Sequence, residues 1–167
     1  MFASIYCVIM RSMDFLNALL GNRILMTSVL GWLIAQVLKT IIHYIVSGEM
    51  VAERLTGSGG MPSSHSATVC ALALSVAFNC GVDSPEFAIA LIVAIIVMYD
   101  ARGVRRETGI QAELLNDMLK VFEDMGRDDI SSHDKMKEFV GHTPLQVMVG
   151  AVLGILVAIA MQFVYGF

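Results

Sequence analysis

The chain has 167 residues, of which 56% are hydrophobic and 16% are charged, and its mean hydropathy is +0.71. Soluble domains are usually about 45–50% apolar and about 25% charged, so this composition is typical of a membrane protein. The low charge excludes a disordered chain, and a net charge of −4 gives no sign of nucleic-acid binding. The length suits one domain over residues 1–167. The cysteines have apolar neighbours and are predicted to be buried, small hydrophobic side chains; they are Cys7, Cys70 and Cys80.

The N-terminal segment is apolar over residues 2–10 and precedes Arg11. A secretory signal places its positive charge before the apolar region and ends at a cleavage site of small residues. Neither feature is clear in this segment. We therefore interpret residues 1–20 as an N-terminal extension or an interfacial helix.

Four segments are candidates to cross a membrane, for which about 20 mostly apolar residues are needed. They cover approximately residues 24–46, 62–80, 87–99 and 144–165. The third is short and is expected to continue past Asp100. The predicted fold class is therefore all-α, an integral membrane helical bundle of about four spans plus an amphipathic surface helix.

The amphipathic helix is predicted within the only long polar region, 105–141. Apolar residues recur there at helical spacing, and Gly126 is expected to stop the helix. These apolar residues are Ile110, Leu114, Met118, Val121, Phe122 and Met125. We expect the helix to lie on the membrane or against the bundle.

Four spans place the loops 47–61 and 105–141 on one side of the membrane, and the turn 81–86 with both termini on the other. Most basic residues fall on the first side, which the positive-inside rule assigns to the cytoplasm. They are Arg54, Arg102, Arg105, Arg106, Lys120, Arg127, Lys135 and Lys137, against Arg11 and Arg23 opposite.

Polar residues inside the predicted spans gather toward this cytoplasmic side. They are Lys39 near the end of the first span, 62–65 at the start of the second, 100–106 at the end of the third and 141–144 at the start of the fourth. Because charged groups within a membrane are costly, such a cluster indicates a functional site.

The cluster is suited to binding a phosphate group. Pro62 and Pro144 are expected to open two helices, whose N-terminal N–H groups favour phosphate. Further donors that match phosphate oxygens come from Ser63, Ser64, Arg105, Arg106 and Lys39. With two histidines, His65 and His142, one ring can attack phosphorus while the other protonates the leaving oxygen. No residue set has the spacing of metal ligands, so we expect no metal and no other cofactor.

Structural alternatives stay open for these residues. Lys39 could snorkel toward the interface, and Arg105 and Arg106 could anchor the chain at the cytoplasmic face. Asp100 could do no more than form an ion pair with Arg102 or Arg105. His65 and His142 could likewise be helix caps or packing residues.

The string GGMPSSHSA at residues 59–67 resembles the central Pro-Ser-x-His motif of the type-2 phosphatidic acid phosphatase and vanadium haloperoxidase superfamily. Three further strings, at 99–106, 111–116 and 141–144, are similar to its divergent bacterial and plastid branch. The resemblance extends over residues 14–154. It implies a protein of the bacterial cytoplasmic membrane that hydrolyses a phosphate ester without a metal.

The resemblance also implies a role for each residue that matches the motifs. His142 would attack phosphorus to form a phosphohistidine, and His65 would protonate the leaving alcohol. The phosphate would be held by Ser63, Ser64 and either Arg105 or Arg106, with Lys39 or Arg54 matching the lysine and arginine of the first motif.

Two spacings depart from the family pattern. The usual first motif has Arg-Pro seven residues after its lysine, whereas Arg54 follows Lys39 by fifteen residues and precedes Leu55. The usual Ser-Arg lies six residues before the attacking histidine, whereas Arg106 precedes His142 by thirty-six.

One residue type also departs from the pattern. The Asp that usually orients the attacking histidine is Gln146 in this chain, and Thr143 with Gln146 has the spacing of a capping box. Asp100 is the candidate to supply the missing carboxylate.

The expected function is that of a membrane lipid phosphatase acting on a phosphomonoester or diphosphate. Phosphatidylglycerol phosphate, phosphatidic acid and a prenyl diphosphate are the substrates that the resemblance implies. The alternative is a catalytically altered protein that binds or transports phosphate or lipid through the same pocket. A second copy of the chain is a candidate partner, since four short spans could need it to close the pocket.

Overall fold

A computed structural model describes residues 13–48, 60–125 and 143–166, and within these ranges the chain forms six helices and no strand. The helices are α1 (13–20), α2 (Arg23–Ser47), α3 (Ser64–Cys80), α4 (Pro85–Arg102), α5 (Val104–Asp124) and α6 (Pro144–Tyr165). The predicted all-α fold is confirmed. The side chains of α1 are exposed.

Two of the helices are long and apolar enough to cross a membrane: α2, with 25 residues, and α6, with 22. Helix α3 is apolar but has 17 residues. Helix α4 has 18 residues, and its ends carry Glu86, Asp100 and Arg102. The total of about four spans therefore stays a prediction that depends on α3 and α4.

The helix starts agree with the predictions at Pro144 and differ at Pro62. Helix α6 begins at Pro144 after the N-cap Thr143. Helix α3 begins at Ser64, because the hydroxyl of Ser63 caps it, and Pro62 lies outside the helix after a cis peptide bond. The prediction that Pro62 occupies the first turn is therefore wrong, since the serine after it provides the cap.

Helix α3 lies at the centre of the bundle, where it packs against α2, α4 and α6. It runs antiparallel to α2, since Gly31 lies beside Ala71. It also runs antiparallel to α4, to which a short turn joins it, and the sulfur atoms of Cys70 and Met98 are 3.7 Å apart.

Helix α6 runs parallel to α3, and the two helices begin side by side. The backbone N–H of Ser63 donates to the carbonyl oxygen of Gln146 at 3.1 Å. Toward the opposite end, the Arg23 guanidinium lies 5.3 Å from the centroid of the Tyr165 ring. The C-terminal ends of α2 and α4 therefore share one end of the bundle with the N-terminal ends of α3 and α6, as the predicted topology requires. We call this the polar end.

Small residues allow α2, α3 and α6 to approach one another closely, as is common between membrane helices. A Cβ atom at Gly31 would lie 3.1 Å from Cβ of Ala71. Cβ atoms at Gly150 and Gly154 would collide with the backbone carbonyl oxygens of Ser63 and Ala67. The lateral position of α6 is therefore set by the backbone of α3.

Large apolar side chains cover much of the outer surface of the bundle, as contact with lipid requires. Examples are Val37 on α2, Ile92 on α4 and Leu156 on α6, each at least half exposed.

The cysteines were predicted to be buried. Cys70 is half-buried, but Cys80 lies exposed at the end of α3, so the prediction of burial is wrong for Cys80. Cys7 is outside the described residues.

The amphipathic helix is present as α5, and it contacts α4 among the described helices. Its apolar stripe is exposed; the side chains described in it are Ile110, Leu114, Met118, Val121 and Met125. The predicted stop at Gly126 lies outside the described residues.

Candidate functional site at the polar end of the bundle

Three serines are buried where α3 begins. Ser63, the N-cap, is fully buried, and its Oγ accepts hydrogen bonds from the backbone N–H of Ser66 at 3.4 Å and from Ser66 Oγ at 3.1 Å. Ser64 is buried as well. The cap bond satisfies the Ser66 N–H within the first turn, and the packing of α3 against α2 and α6 accompanies the burial of the three serines. The result is a compact polar patch at a helix N-terminus, where an anion is favoured.

Lys39 is the charged residue closest to the middle of α2, and only 2% of its surface is exposed. Its Nζ atom donates to Oε1 of Gln36, one turn earlier on the same helix, at 2.7 Å. A Cβ atom at Gly60 would lie 3.2 Å from Cγ of Lys39, so the glycine backbone covers the lysine stem. Lys39 therefore lies against the segment that leads into Ser63, and it does not snorkel to the surface.

His65 lies in the first turn of α3 and is half-buried. Its Nδ1 atom is shielded from solvent. The ring therefore belongs to the polar end and is only partly accessible from outside the bundle.

Gln146 completes the capping box predicted at the start of α6. Its backbone N–H donates to Oγ1 of Thr143 at 3.3 Å, and its Oε1 accepts from the backbone N–H of Thr143 at 3.1 Å. The same residue accepts the Ser63 N–H through its carbonyl oxygen. Gln146 therefore caps α6 with its side chain and links α6 to α3 with its backbone.

Asp100 lies near the C-terminal end of α4, and its side chain is exposed. The ion pair with Arg102 considered above is absent, because residues two apart on a helix point in different directions. A cavity at the junction of α4 and α5 is lined by Tyr99, Arg102, Gly103 and Glu107. Asp100 therefore differs from the serines and Lys39 in being exposed, whereas they are buried.

The polar end thus brings together part of the predicted site. The predicted residues that lie there are Lys39, Ser63, Ser64, His65 and Gln146. Arg105 and Arg106 are in the first turn of α5, but their side chains are outside the described set. Arg54 and His142 lie outside the described residues, and His142 directly precedes the N-cap of α6. Among the described side chains, no group of three His, Cys, Asp or Glu could hold a metal ion.

Two contributors were not predicted as part of the site. Gln36 holds the Lys39 ammonium, and Gly150 allows α6 to reach the backbone of Ser63. The spacing of three residues between Gln36 and Lys39 was a signal for the first, since residues i and i+3 face each other on a helix. A single glycine in an apolar helix gives no such indication of its partner.

The sequence matches a family model described as "Divergent PAP2 family" over residues 20–157, which includes the serine string and the start of α6. The chain belongs to this family. It is also 39% identical over 155 residues to the "Uncharacterized membrane protein YuiD" of Bacillus subtilis (strain 168), an alignment that covers 88% of this chain and 98% of the relative. No solved structure matches the chain. The resemblance inferred from the motifs is thus confirmed at the level of the family.

Proposed function

We propose that the protein is a metal-independent membrane phosphatase that hydrolyses a lipid phosphomonoester or diphosphate through a phosphohistidine. The observation that carries this proposal is the burial of Lys39 against the glycine segment that leads into Ser63 and Ser64. A buried cation, two buried hydroxyl groups and a helix N-terminus at the same end of a bundle suit a phosphate group. Membership of a PAP2-related family supports the same chemistry.

In the proposed reaction, His142 attacks the terminal phosphorus and a P–N bond forms while the P–O bond to the leaving group breaks. The leaving group is the lipid alcohol of a phosphomonoester or the lipid monophosphate of a diphosphate. His65 gives a proton to the leaving oxygen. Water then attacks the phosphohistidine with His65 as the base, the P–N bond breaks, and inorganic phosphate leaves. Lys39, the two serines and one of Arg105 and Arg106 would neutralise the charge on the phosphate oxygens.

The outer surface of the bundle supports a lipid substrate. Exposed apolar side chains on α2, α4 and α6 would let an acyl or prenyl chain stay in the bilayer while its head group enters the polar end. Phosphatidylglycerol phosphate, phosphatidic acid and a prenyl diphosphate remain the candidates. A polar end that faces the cytoplasm, as the basic residues predict, favours phosphatidylglycerol phosphate.

A second candidate function is phosphate or lipid binding, or transport, without turnover. Gln146 favours it, because the family's orienting carboxylate is replaced by an amide whose oxygen is engaged in the helix cap. An amide stabilises a histidine cation less well than a carboxylate does. A pocket altered in this way would bind phosphate and hydrolyse its esters slowly or not at all.

The test is phosphate release by the detergent-purified full chain from a panel of lipid phosphates, in the presence of excess chelator. We expect release by the wild type and its loss in His142→Ala and His65→Ala. His43→Ala is the matched control, because His43 is a half-buried histidine of α2 that bonds with Ser47. Absence of release from every lipid, with vanadate still bound, would overturn the phosphatase proposal and support the binding function.

A further inference from the structure

We propose that Gln36 is a positioning residue, which fixes the Lys39 ammonium for an anionic phosphate group without cancelling its charge. The inference deepens the proposed function and rests on it, because it takes the ligand of Lys39 to be phosphate. Gln36 itself does not need to touch the ligand. It acts through the hydrogen bond that its Oε1 accepts from Lys39 Nζ at 2.7 Å.

The burial of both residues is the first reason. Lys39 is 2% exposed and Gln36 is 6% exposed, so each polar group has given up water. A buried charge is tolerated only when it is hydrogen-bonded, and a hydrogen bond to a charged group is stronger than one between neutral groups. The hydrogen bond from Lys39 to Gln36 is therefore one of the contacts that hold this buried side chain in place.

The fixed path of the lysine side chain is the second reason. Gly60, at φ +86°, lies over its stem, and a Cβ atom there would be 3.2 Å from Cγ and 3.5 Å from Cδ. The stem is thus held by the glycine backbone and the ammonium by Gln36. Together they determine where the positive charge stands relative to the segment that leads into Ser63.

The chemical type of the acceptor is the third reason. An amide oxygen orients an ammonium as a carboxylate does, but it carries no formal charge. A lysine ammonium has three N–H donors, and Gln36 takes one of them. A glutamate at the same position would retain the geometry but would compete electrostatically with an incoming anion.

This difference can be tested with two substitutions of nearly equal size. Gln36→Glu keeps the acceptor and adds a negative charge, whereas Gln36→Leu removes the acceptor. We expect each to weaken the binding of orthovanadate to the detergent-purified full chain by about tenfold or more, the size expected for one charge-assisted hydrogen bond. Both should raise KM for a lipid phosphate more than they lower kcat.

Two controls separate positioning from a general structural effect. Thr40→Val removes the hydrogen bond from Thr40 Oγ1 to the Gln36 carbonyl oxygen, in the same turn of α2, and should leave vanadate affinity unchanged. In a Lys39→Met background, Gln36→Leu should cause little further loss of affinity if the effect of Gln36 on the anion passes through the lysine. The melting temperature of each variant checks that it is folded.

The outcomes for Gln36 and for the phosphatase are distinguishable. A wild type that binds vanadate but releases no phosphate overturns the enzyme, and the affinities of the variants still decide the role of Gln36. Folded Gln36 variants with wild-type affinity overturn the inference, and so does an equal loss with and without Lys39. A wild type that binds no vanadate and hydrolyses no lipid phosphate overturns both proposals.

Discussion

Helix α3 is packed in two different ways on its two sides. Toward α6 the contact is made by backbone, since Gly150 and Gly154 lie against carbonyl oxygens of α3. Toward α4 the contact is made by side chains; the buried ones are Val69, Ala73, Val76, Ala90 and Ala94. The first interface has no room for an added methyl group, whereas the second consists of methyl groups that can shift relative to one another.

The difference bears on the candidate site because the two sides carry different parts of it. The backbone-packed side holds the bond between Ser63 and Gln146, the starts of α3 and α6, and the Lys39 side chain on α2. The side-chain-packed side holds the exposed Asp100 and continues into α5. The buried residues of the candidate site thus lie where the helices approach most closely, so substitutions on the two sides of α3 should differ in their effect.

The largest effect is expected from a side chain placed in the backbone-packed interface. Gly154→Leu would drive α6 away from Ala67, with a cost of about 3 kcal/mol or more, at the upper end for overpacking. The loss of folded protein can be measured by thermal or denaturant unfolding in detergent. Vanadate binding should be lost with the fold, because the start of α6 is held against Ser63.

The matched control is Ala160→Leu, a change of the same size class at an exposed position of the same helix. It should alter stability by no more than about 0.5 kcal/mol, as is usual for surface positions. A Gly154→Leu protein as stable as this control would contradict the close approach of α6 to α3.

A smaller effect is expected from the side-chain-packed interface. Val69→Ala removes two methyl groups from the contact of α3 with α4 and should cost about 1–2 kcal/mol, since the neighbours can partly fill the space. Vanadate affinity should be unchanged, because the polar end is held by α2 and α6. Unfolding and binding measured on the same preparation would check both statements.

The control for this variant is Val93→Ala on α4. Val93 is exposed, so this substitution removes the same atoms as Val69→Ala without opening a cavity, and the stabilities of the two variants can be compared. If Val69→Ala weakened vanadate binding while the protein stayed folded, the contrast between the two sides of α3 would be wrong.

The sequence predicted most of the fold because its signals are local. Helix α6 spans the predicted residues 144–165, and its capping box was readable from Thr143 and Gln146. Pro62 was misplaced because proline and serine both mark helix starts, and local rules do not decide which of two neighbours forms the cap. Lys39 could be predicted as a candidate site residue because a charged side chain within a membrane span is costly.

The rest of the site depends on contacts between distant segments. That Gly60 covers Lys39, or that Gly150 meets Ser63, follows from how α2, α3 and α6 pack and has no counterpart in local spacing. Small residues are compatible with the close approach of any neighbouring helix. They therefore predict tight packing but do not indicate which helix is the partner. The exposure of Asp100 likewise follows from how α4 is rotated against α3.

Helix α5 extends the side-chain-packed side and has three distinct faces. Ala112 and Asn116, one turn apart, are buried. At about 100° per residue, the exposed stripe that contains Ile110, Leu114 and Met118 lies nearly opposite them. The charged face is marked by Lys120, which lies about 120° around the helix from Leu114 and forms an exposed ion pair with Asp117 at 3.0 Å. An exposed apolar face next to a charged one is suited to the boundary between lipid and water.

The smallest effect on stability is expected on α5, where a change should instead reveal contact with lipid. Trp32 is the only tryptophan, so a Trp32→Phe chain that carries Leu114→Trp reports on the apolar face alone. In vesicles of brominated phosphatidylcholine its fluorescence should be strongly quenched, whereas Lys120→Trp in the same background should be quenched much less, because Lys120 lies about 120° around the helix from Leu114, on the charged face. Leu114→Trp should change stability by no more than about 0.5 kcal/mol. Equal quenching at the two positions would contradict the placement of the apolar face of α5 along the membrane surface.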